Sequence, residues 1–527
     1  MNQPKPLPQI KGGWGLPLAL LLIFAILAGF YSNARYGGWG LDGDALIQAV
    51  FAESIMVNHK LYTGASYSNG FAYGGLLAVA GQISGISPYQ LVDWGNAWVA
   101  VIALVAFITY RELLSDGRLA VFSTLLLFLI PDFLFYVLRG GHERSTWLLA
   151  LLMIFLLARS LRYARQPGPL LVHIVCFYLI FWAMAASNVY FASTFVNAII
   201  LSVLGAWLLG FIRWSRVKDR LQREHFLNRL LIVSLACLIL VFVFINYTYR
   251  PALTFYYIAE DLVNRLGILL FGVQEQVVTS SYAYVGSAWI NQVAYLALTG
   301  PQFLIATISF GGWAVGIWKQ FSFDDRRWFL WWLYTAFGGL LVIGILSDFA
   351  GFLQNNMQLR MFTPFALFIA PLAALVLRST FGTLSRRLPR FAMLLGGVCI
   401  VYGMLATMVK VTNEPLVANT WLFYAPGQQR VGQWMNAHIQ KQIVWVDTWQ
   451  QLPRALQFSD GALSNHSVRY LAGGRFEYPP YILLSENTRL RANRVGIVLP
   501  AVYEHNQIYD NGFVQLYYRR AITPYQR

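Results

Sequence analysis

Two carboxylates one residue apart, Asp42 and Asp44, close the run Trp39-Gly40-Leu41-Asp42-Gly43-Asp44. Beside glycines that let a substrate come close, such a pair can take a proton from a hydroxyl, or hold a cation or a phosphate-bearing donor. The plain alternative is a turn residue at Asp42 and a helix cap at Asp44. A second group is Arg139-Gly140-Gly141-His142-Glu143-Arg144-Ser145, whose four titratable side chains exceed what a connector between apolar runs requires. Charges this close to hydrocarbon are costly unless used or paired. Glu143 is its carboxylate, His142, Arg139 and Arg144 its donors, and two arginine anchors paired with Glu143 the plain reading. A third is Asn355-Asn356-Met357-Gln358-Leu359-Arg360. The guanidinium of Arg360 offers a charged fork suited to a phosphate oxygen, or snorkels toward headgroups. Tyr62, Tyr67, Tyr73, Tyr282 and Tyr284 can stack on a sugar or a prenyl chain, although aromatics also gather at membrane interfaces without any such duty. Asp132, one residue after Pro131, is the weakest of the acidic candidates. His59 and His142 do not make a metal site by themselves. A divalent metal stays open and no other cofactor is implied.

These groups are set in a chain of 527 residues that is 57% hydrophobic and only 12% charged, against about 25% charged for a soluble globular protein. Apolar runs of about 20 residues, long enough to cross a hydrocarbon core of about 30 Å, recur from Trp14 to Lys410. Eleven spans are predicted, at roughly 14–31, 91–110, 119–138, 146–161, 170–187, 190–212, 230–249, 288–318, 328–346, 361–378 and 391–409. The first is expected to stay uncleaved, because Tyr31-Ser32-Asn33-Ala34-Arg35 offers no small-x-small site. Cys176, Cys237 and Cys399 all fall within spans, as small core side chains and not a disulfide framework.

The net charge of +16 would suggest nucleic acid in a soluble chain, but its distribution points to topology. With the amino terminus in the cytoplasm, one set of alternate connectors holds 20 basic residues, among them Arg111, Arg118, Arg159, Arg326 and Arg378. The opposite short loops hold 7: Arg35, Lys60, Arg139, Arg144, Arg250, Arg265 and Arg360. This is the positive-inside pattern. It puts all three polar groups, the large loops 32–90 and 250–287 and the carboxy terminus on the outer face.

Residues 1–410 therefore read as a membrane domain and 411–527 as a small extracytoplasmic α/β domain. Within the latter, 427–439 and 450–458 have helical spacing, while 442–449, 481–484, 494–499 and 512–519 resemble strands. Between Asp44 and Val57 apolar residues recur near helical spacing, which suits a helix lying on the membrane surface with Asp44 in its first turn.

This layout resembles the GT-C superfamily of membrane glycosyltransferases, including its protein O-mannosyltransferase and aminoarabinose transferase branches. The resemblance rests on Asp44 opening the first outer loop, the helix after it, Leu61-Tyr62 closing that helix, and Gly85-Ile86-Ser87-Pro88 ahead of the second span. Glu143 stands where that superfamily often has a second acidic residue, and Arg360 with Pro364 resembles its Arg-then-Pro span. It implies a GT-C-like fold and an inverting transferase of the plasma (inner) membrane. The implied donor is a polyprenyl-phosphate sugar, and the acceptor a protein, a lipid or a glycan. Two departures stand out. Ala45 follows Asp44 where an Asp-Glu pair is usual, so a second carboxylate role falls to Asp42 or Glu143. Trp331-Trp332-Leu333-Tyr334 lacks the aspartate of the oligosaccharyltransferase signature, which favours transfer of a single sugar.

Two rivals remain at this level. A flippase or transporter would bury ionisable groups near the bilayer midplane, whereas these spans are nearly free of charge there. A non-catalytic subunit of a membrane complex would keep the same architecture.

Overall fold

The computed structural model describes residues 13–35, 43–61, most of 70–202, 289–319, 325–349, 357–411 and 426–439, with strand segments between 444 and 518. Asp42, Tyr62, Tyr67, Tyr282 and Tyr284, the span at 230–249, the loop 250–287 and the tail segments 450–458 and 494–499 lie outside the described residues.

Apolar helices make up the bundle. They are α1 (Gly15–Arg35), α5 (Trp98–Leu114), α6 (Gly117–Phe128), α7 (Pro131–Leu138), α8 (Glu143–Ser160), α9 (Pro167–Ser187), α10 (Trp289–Lys319), α11 (Asp325–Phe349), α12 (Met357–Arg387) and α13 (Pro389–Val411). Among the described residues six helices are long and apolar enough to span, or seven if α6 and α7 count as one broken span. The loop after α1 carries α2 (Gly43–Asn58), α3 (Ala72–Ser84) and α4 (Pro88–Trp94). Helix α2 matches the helix expected after Asp44, but α3 has no counterpart in the sequence reading. Its glycines suggest a loop, yet they are where it packs: a Cβ at Gly74 would run into the ring of Phe51 on α2.

The run 119–138 is not one straight span. Helix α6 starts at Asp116, whose carboxylate accepts from the amides of Arg118 and Leu119 at 2.9 and 3.3 Å, an N-cap that meets two otherwise orphan donors. It ends at Leu129. Pro131 opens α7, for which a proline at the first turn is well suited, at 77° to α6. The polar groups released at the break find partners on other helices. Thr407 of α13 donates to the Leu129 carbonyl at 3.3 Å, and Gln302 of α10 accepts from the Asp132 amide at 3.4 Å. The Asp132 carboxylate also takes Gln302 Nε2 at 2.8 Å and lies 3.4 Å from the buried Lys410 ammonium. This ion pair is an exception to the expectation of nearly charge-free spans, and Asp132 belongs to the bend.

Prolines inside α10 and α12 follow the same rule. Pro371 cannot bond the carbonyl of Leu367, which instead accepts from Tyr110 of α5 at 2.8 Å. Pro301 likewise leaves the Ala297 carbonyl to the hydroxyl of Tyr402 on α13. Inside a bilayer every backbone group must be met within the protein, and at Pro301 and Pro371 a tyrosine on a neighbouring helix does so.

One end of the bundle gathers the basic connectors. Arg326 reaches the Glu112 carboxylate at 3.2 Å and Arg159 the same group at 3.5 Å, while Arg378 holds Asp116 at 2.6 Å and Arg111 lies 5.4 Å from the Trp14 ring. The charge count puts all of these on one side, and the fold brings them together.

In the C-terminal part, α14 (Pro426–His438) accompanies β1 (Val444–Trp445), β2 (Leu463–Ser464), β3 (Tyr481–Ser485), β4 (Asn506–Asp510) and β5 (Val514–Tyr518). The sheet order is β2-β1-β3-β5-β4, parallel across β2, β1 and β3 and antiparallel across β3, β5 and β4. Strand β4 escapes the sequence reading, whose last strand, 512–519, covers β5 alone. Gly512 at φ +81 turns the chain between the two. Val431, Met435, Leu483, Val514 and Leu516 share an apolar cluster with Ala45, Ala49 and Ala52 of α2.

Candidate active site

The connector between α7 and α8, Arg139 to His142, lies at the end of the bundle opposite the basic cluster, and three neighbours hold its shape. Gly140 takes φ +84, a backbone that side chains rarely adopt. A Cβ there would come within 3.0 Å of Ala45 on α2 and 3.1 Å of Val92 on α4. Tyr73 of α3 donates to the Gly140 carbonyl at 3.2 Å. The start of α2, and with it Asp44, is thereby seated on the connector. Ala45 is fully buried at this contact, which gives a steric reason why no larger acidic residue follows Asp44. The Asp44 side chain lies outside what is described.

Arg144 is spent on the backbone. Its guanidinium donates to the carbonyls of Val137 and Leu138 at 2.8 Å each and of Val92 at 2.7 Å. It closes the carbonyl end of α7 and ties α4 to it, as basic side chains do at helix C-termini. Arg139 is buried with its guanidinium 3.6 Å from Glu143, which opens α8. A side chain at Gly141 would collide with the Glu143 carboxylate, so the Gly140-Gly141 pair makes room for both the turn and the acid. One oxygen of Glu143, Oε2, accepts no hydrogen bond.

His142 is oriented by Asn188, the extended residue after α9. Asn188 Oδ1 caps the next helix by accepting from the Phe191 amide at 3.1 Å, so its Nδ2 is the atom presented to His142 Nε2. That nitrogen must accept, and the ring proton therefore sits on Nδ1, 3.7 Å from Glu143 Oε2. Burial pushes the imidazole below its ordinary value; Arg139 and Arg360 push the same way and Glu143 opposes them. Arg360, in the first turn of α12, is exposed and lies 5.9 Å over the Tyr190 ring, close enough for its charge to act on His142 and Glu143.

Of the expected residues, Arg139, His142, Glu143, Arg144 and Arg360 thus meet, with the start of α2 against them. Asn188, Tyr190 and Tyr73 complete the arrangement. For Asn188 the cue was its position between two apolar runs, where a helix cap is needed. Asp93, held by Asn33 at 3.0 Å, follows Val92 and was hidden by reading its segment as the start of a span. With Arg139 paired to Glu143, the exposed Arg360 presents the guanidinium fork suited to a phosphate oxygen. Among the described residues no three His, Cys, Asp or Glu side chains are grouped to hold a metal.

No protein-family model matches the sequence, and no curated protein does. Solved structures do match. An archaeal oligosaccharyltransferase, AglB from Archaeoglobus fulgidus, in complex with an inhibitory peptide and a dolichol-phosphate, is 12% identical with a TM-score of 0.50, over 93% of this chain and 72% of its own. ArnT from Cupriavidus metallidurans, bound to undecaprenyl phosphate, is 12% identical with a TM-score of 0.47 over 95% and 97%. The mycobacterial arabinofuranosyltransferase AftD is 14% identical with a TM-score of 0.42 over 96% and 40%. At a TM-score of 0.50 this chain shares the fold of the AglB structure.

Proposed function

We propose that this protein transfers a sugar from a polyprenyl-phosphate carrier to an acceptor hydroxyl at the outer face of a plasma (inner) membrane. The observation that carries this reading is the convergence of Glu143, Arg139, His142 and Arg360 beside the start of α2, at the end of the bundle opposite the basic connectors. The basic end is then cytoplasmic, and the site and C-terminal domain face outward. That the AglB structure holds a dolichol-phosphate supports a lipid-phosphate donor.

In the reaction, Asp44 takes the proton of the acceptor hydroxyl as its oxygen bonds to the anomeric carbon. The bond from that carbon to the phosphate oxygen breaks, its electron pair leaves with polyprenyl phosphate, and the configuration inverts. Carboxylates near the anomeric carbon, Glu143 and Asp42 with Asp44, favour its oxocarbenium character. Arg360, exposed and poised, grips the leaving phosphate with help from Arg139; Arg144 holds the connector in shape. The acceptor is a protein, a lipid or a glycan.

The experiment is transfer by purified protein in lipid nanodiscs, with undecaprenyl-phosphate sugars as donors. Asp44→Asn abolishes transfer while carrier binding and folding persist. Undiminished transfer in that variant removes Asp44 as the base.

A further inference from the structure

Gln48 lies one turn after Asp44 on α2, and the helical period puts the two positions in one stripe. Its neighbours Ala45, Ala49 and Ala52 are buried apolar residues of the cluster that α2 makes with α3, α4 and the C-terminal part. Gln48 is equally buried, at 1% exposure, yet neither its Oε1 nor its Nε2 has a hydrogen-bond partner. An amide buried without partners is destabilising, and Leu or Met would fill this helical position as well without that penalty.

The identity of the orphan atoms limits what could satisfy them. A phosphate only accepts hydrogen bonds, so it would leave Oε1 unmet. A pair of hydroxyls both donates and accepts, and meets the whole carboxamide. Phosphate is already the natural partner of the arginines around Glu143. From the contact of Ala45 with Gly140 and of Glu143 with Gly141, Ala45 lies within about 12 Å of the Glu143 carboxylate, and Gln48 follows less than one turn later on α2, about 5 Å further along the chain's path.

We propose that Gln48 reads the sugar of the lipid-linked donor through two of its hydroxyls. This rests on the transferase reading and makes Gln48 a specificity residue of that site.

The test compares parent and Gln48→Met in nanodiscs for binding of undecaprenyl phosphate, bare or carrying a hexose or a pentose. The parent binds at least one sugar-bearing lipid more tightly than the bare one. Gln48→Met keeps its affinity for the bare lipid and loses at least about tenfold for the sugar-bearing one, with a thermal midpoint equal to or above that of the parent. Gln48→Asn, which retracts the amide by one methylene and keeps it polar, shows the same selective loss should the Met variant fold poorly. Equal affinities in parent and variants, a parallel loss of both lipids, or a parent that gains nothing from a sugar each overturn the proposal. A parent that binds no polyprenyl phosphate overturns the transferase reading itself.

Discussion

Arg144 and Arg360 are both arginines at the same end of the bundle, and exchanging each for lysine should produce opposite defects. Arg144 makes three charge-assisted hydrogen bonds to backbone carbonyls, at 2.7 to 2.8 Å and in three directions. A lysine ammonium on its flexible stem can keep one of them. At about 1.5–3 kcal/mol for each bond to a charged donor, Arg144→Lys loses about 3–6 kcal/mol, and two carbonyls at the end of α7 go unmet. Arg360 is exposed, and the contact that fixes its direction is the face of Tyr190. Arg360→Lys therefore leaves folding intact but replaces a fork with a point charge, and polyprenyl phosphate affinity falls about tenfold, or 1.4 kcal/mol. The assay is thermal unfolding in parallel with binding of undecaprenyl phosphate in nanodiscs. Arg144→Lys lowers the midpoint by several degrees, and Arg360→Lys leaves it in place. The reverse pattern, a stable Arg144→Lys that no longer binds the carrier, would refute the division of labour between the two.

Three further outcomes follow from the same geometry. Tyr110→Phe strips the Pro371-freed carbonyl of Leu367 of its donor, and thermal unfolding should show a loss of about 1–3 kcal/mol. Gly140→Ala forces a Cβ into a left-handed turn, at a cost of roughly 1–2 kcal/mol, and pushes on Ala45; transfer should fall further than stability because α2 carries the proposed base, Asp44. His142 has its value lowered in the folded protein, so the unfolded chain binds the proton more readily. Stability is then full above the ordinary histidine value near about 6.5 and declines as pH drops from there toward the lowered value. A His142→Gln variant should lack that decline in pH-resolved thermal unfolding.

Much of this was legible in the sequence for physical reasons. Hydropathy gives spans because the bilayer demands about 20 apolar residues of a crossing helix, and Gly43–Asn58 showed its helical period plainly. Charge contrast predicts which connectors share a side, and Arg111, Arg159, Arg326 and Arg378 gather at one end of the bundle. The density of charge at 139–144 marked the connector around which the candidate site gathers. Hydropathy is blind to direction, however: the run 119–138 stays apolar through Pro131, so a 77° bend left no trace beyond the proline itself. Nor does composition tell a gripping arginine from a bracing one. Arg139, Arg144 and Arg360 read alike until the carbonyls of Val92, Val137 and Leu138 are seen around one of them.

The bend explains why a site can exist at this place at all. Helix α7 is eight residues, about 12 Å long, and at 77° to α6 nearly all of that length runs sideways. A straight continuation would carry Arg139 about 9 Å further along the axis of α6, away from α2, α4 and the end of α9. Turned, α7 delivers the Gly140-Gly141 pair beneath Ala45 and His142 beside Asn188. Broken backbone is tolerated at such depth only where protein partners meet its polar groups, and here Thr407, Gln302 and Lys410 come from two other helices to do so. The buried Asp132–Lys410 pair is thus poor support for stability as such, since desolvation offsets much of its attraction. What it fixes is direction. Replacing both partners with apolar residues of similar size could leave the fold as stable while freeing α7 to turn, so the loss would appear in transfer before it appeared in unfolding.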